Sequence, residues 1–167
     1  MSGEAGKIPI YSFAAFSNTG KTTFLEKLIP VIKSHGLKVA VYKHDGHDFD
    51  IDKPGKDSWR MTRAGADVTV ISSGTKAAIM ENRYVPPEEL VRKIDNVDII
   101  IVEGYKAGPW KKIAMRRLEN GKDFPVPPES CFLLISDTPV EGGKKYYGIN
   151  DIEGVAQAIL SDMAWGK

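Results

Sequence analysis

The feature that most constrains this 167-residue chain is one uninterrupted run near its start, where an apolar stretch, a Gly-Lys-Thr turn and a helical stripe meet without a gap. Ile8–Ala15 reads as a buried strand and leads straight into Phe16-Ser17-Asn18-Thr19-Gly20-Lys21-Thr22. From Thr22 onward, Phe24, Leu25, Leu28, Val31 and Ile32 fall on one helical face, and Gly36 stands where a helix would stop. Ala15 to Thr22 fits the phosphate-loop pattern G-x-x-x-x-G-K-[ST], with Ala15 in place of the first glycine. Alanine fits that place wherever the backbone does not need a positive φ. In such a loop, consecutive backbone N–H groups of Ser17, Asn18, Thr19 and Gly20 converge on phosphate oxygens, and the following helix N-terminus adds positive potential. Lys21 reaches the outer phosphates and acts on the reacting group, and the Thr22 hydroxyl ligates Mg²⁺. The alternative is an ordinary glycine-containing strand–helix turn.

Four further apolar runs read as strands: Leu37–Tyr42, Val68–Ser72, Asp98–Val102 and Phe132–Ser136. Several are apolar at consecutive positions, which suits a parallel sheet covered on both faces. Helical segments lie between them. Pro86-Pro87-Glu88-Glu89 opens one, with Leu90, Val91 and Ile94 as its apolar face. Asn150-Asp151-Ile152-Glu153 opens the last, with Ile152, Val155, Ala156, Ile159, Leu160 and Met163 as its stripe. Pro30 predicts a kink or a restart in the first helix. The alternation predicts an α/β fold of three layers, a P-loop NTPase with a mostly parallel sheet, right-handed crossovers and one additional β segment, Lys112–Arg117. The length predicts a single P-loop nucleotide-binding domain spanning residues 1–167.

Asp98-Ile99-Ile100-Ile101-Val102-Glu103-Gly104 is an apolar strand ending in an acid. Glu103 is the candidate magnesium-holding and catalytic carboxylate, because it stands beside the expected phosphate site, whereas Asp98 lies at the far end of the strand. The alternative makes Glu103 a solvent-exposed strand cap. Lys43 to Ser58 carries His44, His47 and several aspartates, which leaves open a metal site, a solvated loop or a loop responsive to nucleotide or partner. Ser58 and Asp57 are candidate helix caps there. Asp137, at the end of Phe132–Ser136, is the candidate acceptor for a guanine ring N1–H and amine, although no full N-K-x-D motif precedes it and a turn-forming role is the alternative. Thr75-Lys76 is a weaker echo of such a motif. Between Tyr105 and Lys122 stand Lys106, Lys111, Lys112, Arg116, Arg117 and Lys122 against Glu119 alone, which suits either a phosphate and a flat heterocycle or a charge-protected edge strand.

The phosphate loop followed by KHDGHDFDIDKPGKDSWR, RAGA, VEGYK, ISDTP and INDIEG resembles the molybdopterin-guanine dinucleotide biosynthesis protein B (MobB) family over nearly the whole chain. That resemblance implies a small GTP-binding P-loop protein of weak GTPase activity. It implies assistance to the MobA-like guanylyltransferase that joins GMP to molybdopterin, with GTP and Mg²⁺ as cofactors and a homodimer with an interleaved sheet. Matched position by position, Gly20, Lys21, Thr22 and Thr23 carry the phosphate loop and Glu103 the second acidic motif. Asp52, Lys53, Gly55, Lys56, Asp57 and Ser58 match the signature loop, with Asp52 as a further metal ligand. A small-molecule kinase and a non-catalytic nucleotide-dependent adaptor are the competing readings, the first with Arg116 or Arg117 beside the transferred phosphoryl.

Composition excludes other classes. Lys and Arg number 23 against 22 Asp and Glu, so neither nucleic acid nor a membrane surface is an expected partner. No apolar run approaches the roughly 18 residues of a transmembrane helix. Cys131 is the single cysteine, which fits a reducing cytoplasm. Lys7 followed by Ile8–Phe16 has the look of a signal-peptide core, but cleavage there would cut through the phosphate loop.

Overall fold

In the computed structural model, residues 8–141 and 145–165 are described, the side chain of Trp165 excepted; Lys7 lies outside them. The chain divides into two compact units, Met1–His44 with Pro87–Lys167, and Asp45–Pro86.

The larger unit is built on a six-stranded sheet of β1 (Ile10–Ala15), β2 (Val39–Lys43), β5 (Ile99–Glu103), β6 (Lys111–Arg116), β7 (Cys131–Ser136) and β8 (Tyr146–Gly148), in the order β2-β5-β1-β6-β7-β8. Every pairing in it is parallel. Among the described residues three α-helices belong to this unit: α1 (Lys21–Ser34), α3 (Pro87–Arg92) and α4 (Ile152–Trp165). The period-2 alternation of strand side chains sorts the core into two layers. Tyr11, Phe13, Ile99, Ile101, Ile113, Met115 and Ile135 pack with Phe24, Leu25, Leu28 and Ile32 of α1 and with Val155, Ala156 and Ile159 of α4. On the other face, Ile100 and Val102 pack with Val91 of α3 and with Ile10, Ala40, Tyr42 and Trp110. The consecutive apolar residues of β5 are buried for this reason, since each neighbour faces a different helical layer. The expected three-layer α/β architecture is present.

Helix α1 ends as its sequence foretells. His35 closes it, and Gly36 follows at φ +79° with its N–H donating to the Lys33 carbonyl. Pro30 does not restart the helix; it sits on the exposed side of one continuous α1, where a missing donor leaves its partner carbonyl to water. At α4, the Asp151 carboxylate accepts the Gly154 N–H at 2.9 Å, an N-cap in the position the sequence marks. The segment around Lys112–Arg117 is not an edge strand. As β6 it lies between β1 and β7 with Ile113, Ala114 and Met115 buried, and its charges sit at the two ends.

The smaller unit corrects two expectations. Val68–Ser72 (β3) does not join the parallel sheet; it pairs antiparallel with an unforeseen strand, Ala77–Glu81 (β4). The Ser73–Lys76 turn, closed by the Ser73 N–H on the Lys76 carbonyl at 2.8 Å, holds that hairpin and places Thr75-Lys76 at its tip. Helix α2 (Asp57–Arg63) begins after Lys56, and no side chain caps it: Asp57 is its first residue and Ser58 already lies inside.

Candidate functional site

The parallel strands β1 and β5 deliver two chain segments to one place. Phe13 pairs with Glu103, so the loop that continues from Ala15 and the acid that closes β5 emerge side by side. Ala15 has no positive φ, whereas Asn18 (+63°) and Gly20 (+87°) do, the left-handed steps from which anion-cradling loops are built. Asparagine tolerates that left-handed conformation better than most side chains. The Thr19 hydroxyl donates to the Phe16 carbonyl at 2.8 Å and closes the curl from within, with Thr19 itself buried. Lys21 then opens α1, and the Phe24 N–H bonds the Gly20 carbonyl at 2.9 Å. Ser17, Asn18, Thr22 and Thr23 are exposed along this rim.

At the centre, the Thr22 hydroxyl donates to Glu103 Oε1 at 3.0 Å, and Lys21 Nζ stands 3.7 Å from the same oxygen. Glu103 is only 8% exposed, which rules against a solvent-facing strand cap. Burial pushes the Lys21 ammonium below the ordinary lysine range; Glu103 opposes that push, and the charges of Lys106 and Lys43 add to it. The pocket therefore gathers more positive charge than its single carboxylate balances, a field suited to a polyanion. The hydroxyl and carboxylate side by side are the hard oxygen donors that Mg²⁺ takes.

Asp52 belongs to the smaller unit. Its Oδ1 accepts the Lys53 N–H at 2.8 Å, while its Oδ2 is buried with no hydrogen-bond partner among the described residues. A buried carboxylate oxygen without a donor is costly, and a hard cation would relieve it. His44 and His47 part company: His44 Nδ1 lies 3.3 Å from the Tyr42 hydroxyl with its ring edge-on to Tyr105 at 5.0 Å, and the His47 N–H donates to Asp45. Among the described residues no three His, Cys, Asp or Glu side chains group as a metal site.

Asp137, just beyond β7, borders a cleft of about 570 Å³ lined also by Ser136, Gly148, Ile149, Asn150 and Asp151. Its two oxygens accept the Leu118 N–H at 2.9 and 3.1 Å. In the sequence Asn150-Asp151 opens a helix and falls within the INDIEG motif, but no spacing marks the pair as cleft residues. Nor does any motif mark the turn after β6, which reaches the loop of residues 16–20. Arg117 Nε donates to the Thr19 carbonyl at 3.3 Å and Asn120 Nδ2 to the Asn18 carbonyl at 3.1 Å. The basic segment supplies two more contacts to the loop, with Lys106 and Lys122 ammonium groups 4.6 and 5.0 Å from the Phe16 ring centroid.

Residues 10–137 match the family model described as molybdopterin guanine dinucleotide synthesis protein B. The chain is 38% identical to the molybdopterin-guanine dinucleotide biosynthesis adapter protein of Escherichia coli K12, over 95% of this chain and 97% of that one. It is 35% identical to the protein of the same name from Haemophilus influenzae, over 92% and 88%. Among solved structures, Bacillus subtilis MobB superposes with a TM-score of 0.75 at 25% identity, covering 92% of this chain and 96% of that one. Fold, phosphate loop and likeness over nearly the full length agree, and the chain belongs to the molybdopterin guanine dinucleotide synthesis protein B family.

Proposed function

We propose that this chain is a GTP-binding accessory protein of molybdenum-cofactor biosynthesis, at most a slow Mg²⁺-dependent GTPase, which assists the attachment of GMP to molybdopterin. The observation that carries the reading is the convergence of Lys21, Thr22 and Glu103 at the adjoining ends of β1 and β5. In this reading the amides of residues 17–20 and the hydroxyl side of Thr22 and Thr23 receive the phosphates. Lys21 neutralises the outer phosphate charge, and Thr22 and Glu103 would hold Mg²⁺, which when bound would supply further charge neutralisation. Asp137 reads the guanine N1–H and amine in the cleft beside it, because the two oxygens of a carboxylate have lone pairs beyond those the Leu118 N–H uses.

The partner is a MobA-like guanylyltransferase, in keeping with the adapter proteins named among the relatives. Lys106 and Lys122 are suited to a phosphate of molybdopterin. A homodimer is supported by apolar side chains left open on the β3–β4 hairpin, where Val70 and Ile79 are 63% and 69% exposed. No described helix is long and apolar enough to cross a membrane, and the single cysteine suits the cytoplasm.

Titration calorimetry tests the proposal: GTP binds in the presence of Mg²⁺, and Lys21→Ala abolishes the heat. Binding unchanged in that variant refutes the phosphate site, and ATP binding as tight as GTP refutes guanine recognition. The relatives' description as adapters favours one second reading, a switch that binds GTP without hydrolysing it. Single-turnover incubation separates the two, since a pure adapter releases intact GTP.

A further inference from the structure

Hydrogen bonds at both sides of the Arg117–Asn120 backbone link Asp137, at the end of β7, to Asn18 and Thr19 on the rim of the loop. The two oxygens of Asp137 fix the peptide N–H of Leu118, the first residue of a 3₁₀ turn, Leu118–Asn120. Held there, the turn presents two donors to two successive carbonyls, Arg117 Nε to Thr19 and Asn120 Nδ2 to Asn18. A second Asn120 contact, 3.5 Å to the Thr19 hydroxyl, ties it to the group that closes the loop. Arg117 is itself steadied by Glu119, at 3.1 Å from Nη1. Its Nη2 sits 3.3 Å from where a Cβ on Gly20 would stand, so the guanidinium lies against the last loop residue before Lys21.

A peptide unit is planar, so fixing a carbonyl fixes the N–H of the next residue on the opposite side. The carbonyls of Asn18 and Thr19 belong to the peptides whose amides are those of Thr19 and Gly20, two of the groups expected to face phosphate. We propose that the Leu118–Asn120 turn is a strut: Arg117 and Asn120 are positioning residues that aim the loop amides, and Asp137 sets the strut in place. Asp137 then affects phosphate affinity as well as the base, and whatever occupies the cleft beside it bears on the loop through about two peptide lengths of chain. This rests on the proposed phosphate site.

The probe is inorganic tripolyphosphate with Mg²⁺, which carries no base, titrated into the full chain by calorimetry. Loss of one positioning hydrogen bond weakens it about fivefold in Asn120→Ala and in Asp137→Ala. Asp137→Asn, which keeps an acceptor oxygen for Leu118, stays within about twofold of the parent, as one retained hydrogen bond demands. Thermal melts without ligand confirm that each variant is folded, and if Asp137→Ala is not, Asn120→Ala at its partly exposed turn carries the result. Unchanged tripolyphosphate binding in Asn120→Ala overturns the strut, as does equal loss in Asp137→Asn and Asp137→Ala, while the phosphate site stands. Absence of Lys21-dependent binding in the parent protein instead refutes the site, and the strut with it.

Discussion

Gly104 follows the catalytic candidate Glu103 directly, and its backbone makes a quantitative demand. Its φ is +97°, and a Cβ built on it would stand 2.5 Å from the backbone carbonyl oxygen of His44. Gly104→Ala therefore meets two costs. The left-handed φ costs an L-residue about 1–2 kcal/mol. The clash is with backbone, so His44 must retreat by about 0.9 Å to reach ordinary contact, and overpacking of that kind costs roughly 1–3 kcal/mol. His44 cannot move freely, because its N–H donates to the Glu103 carbonyl at 2.8 Å. A total of about 3 kcal/mol corresponds to a fall in melting temperature of roughly 6–12 °C for a chain of this size. Gly36→Ala separates the two costs: its φ is +79°, yet nothing lies within 4 Å of the added carbon. Urea and thermal melts of both variants, run side by side, should show Gly36→Ala losing about 1 kcal/mol and Gly104→Ala clearly more. Equal losses would refute the claim that close approach to His44, and not the dihedral alone, reserves this position for glycine.

Two further outcomes follow from the charges. Burial holds Lys21 below the ordinary lysine range, and a bound polyanion favours its ammonium, so binding takes up a proton once the free side chain has lost its own. Tripolyphosphate affinity should therefore fall as pH rises, starting below the pH at which an ordinary lysine titrates, while Lys21→Arg keeps a flat profile; calorimetry across alkaline pH reads this. At the other end of the sheet, burial would raise the Asp162 carboxyl, but hydrogen bonds from Lys111 and Tyr11 and the Lys111 charge outweigh it and hold the group below the usual carboxylate range. Its contribution is thus present above the ordinary carboxylate pKa and lost as pH falls through the lowered one. Asp162→Asn should cost about 1 kcal/mol at neutral pH, since Lys111 is half exposed and screened, and next to nothing in acid; urea melts at the two pH values check it.

The parts of the fold that were legible in the sequence are those whose signals are local. β1 and α1 declare themselves through an apolar run, a Gly-Lys-Thr turn and an i, i+3, i+4 stripe, and α4 through its aspartate cap and stripe. The position of β6 was not legible. Three apolar residues between Lys112 and Arg116 look like an edge, and only partners on both sides, set by non-local pairing, make it central. The hairpin was half legible: Ser72-Ser73-Gly74-Thr75 between two apolar runs is a turn signal, but the alternation of Ala77–Glu81 is weak and its outward side is exposed. At the site, Lys21, Thr22 and Glu103 could be named because each lies in a motif with its own chemistry. Arg117 and Asn120 could not, because their partners are main-chain carbonyls about a hundred residues away, and a carbonyl leaves no mark in a sequence.

Parallel pairing itself explains why residues so far apart in the chain meet at this surface. With every pairing in the six-stranded sheet parallel, the strands all finish at one edge. Along the order β5-β1-β6-β7-β8, the residues at or just past each finish are Glu103, the loop from Phe16, Arg117, Asp137 and Ile149. Neighbouring strands are about 4.8 Å apart, so β1 to β8 spans roughly 14 Å. The groups proposed to bind phosphate crowd the β5–β1 end of that line, and the cleft beside Asp137 and Asn150 opens at the other. A ligand with an anionic tail and a flat head fits this polarity in one orientation only, tail to β1. Moving β5 or β6 away from β1 would separate Glu103 from Thr22 or Arg117 from Thr19. The topology, more than any single side chain, is what gathers these groups at one edge, as open α/β sheets generally place ligands beyond their strand ends.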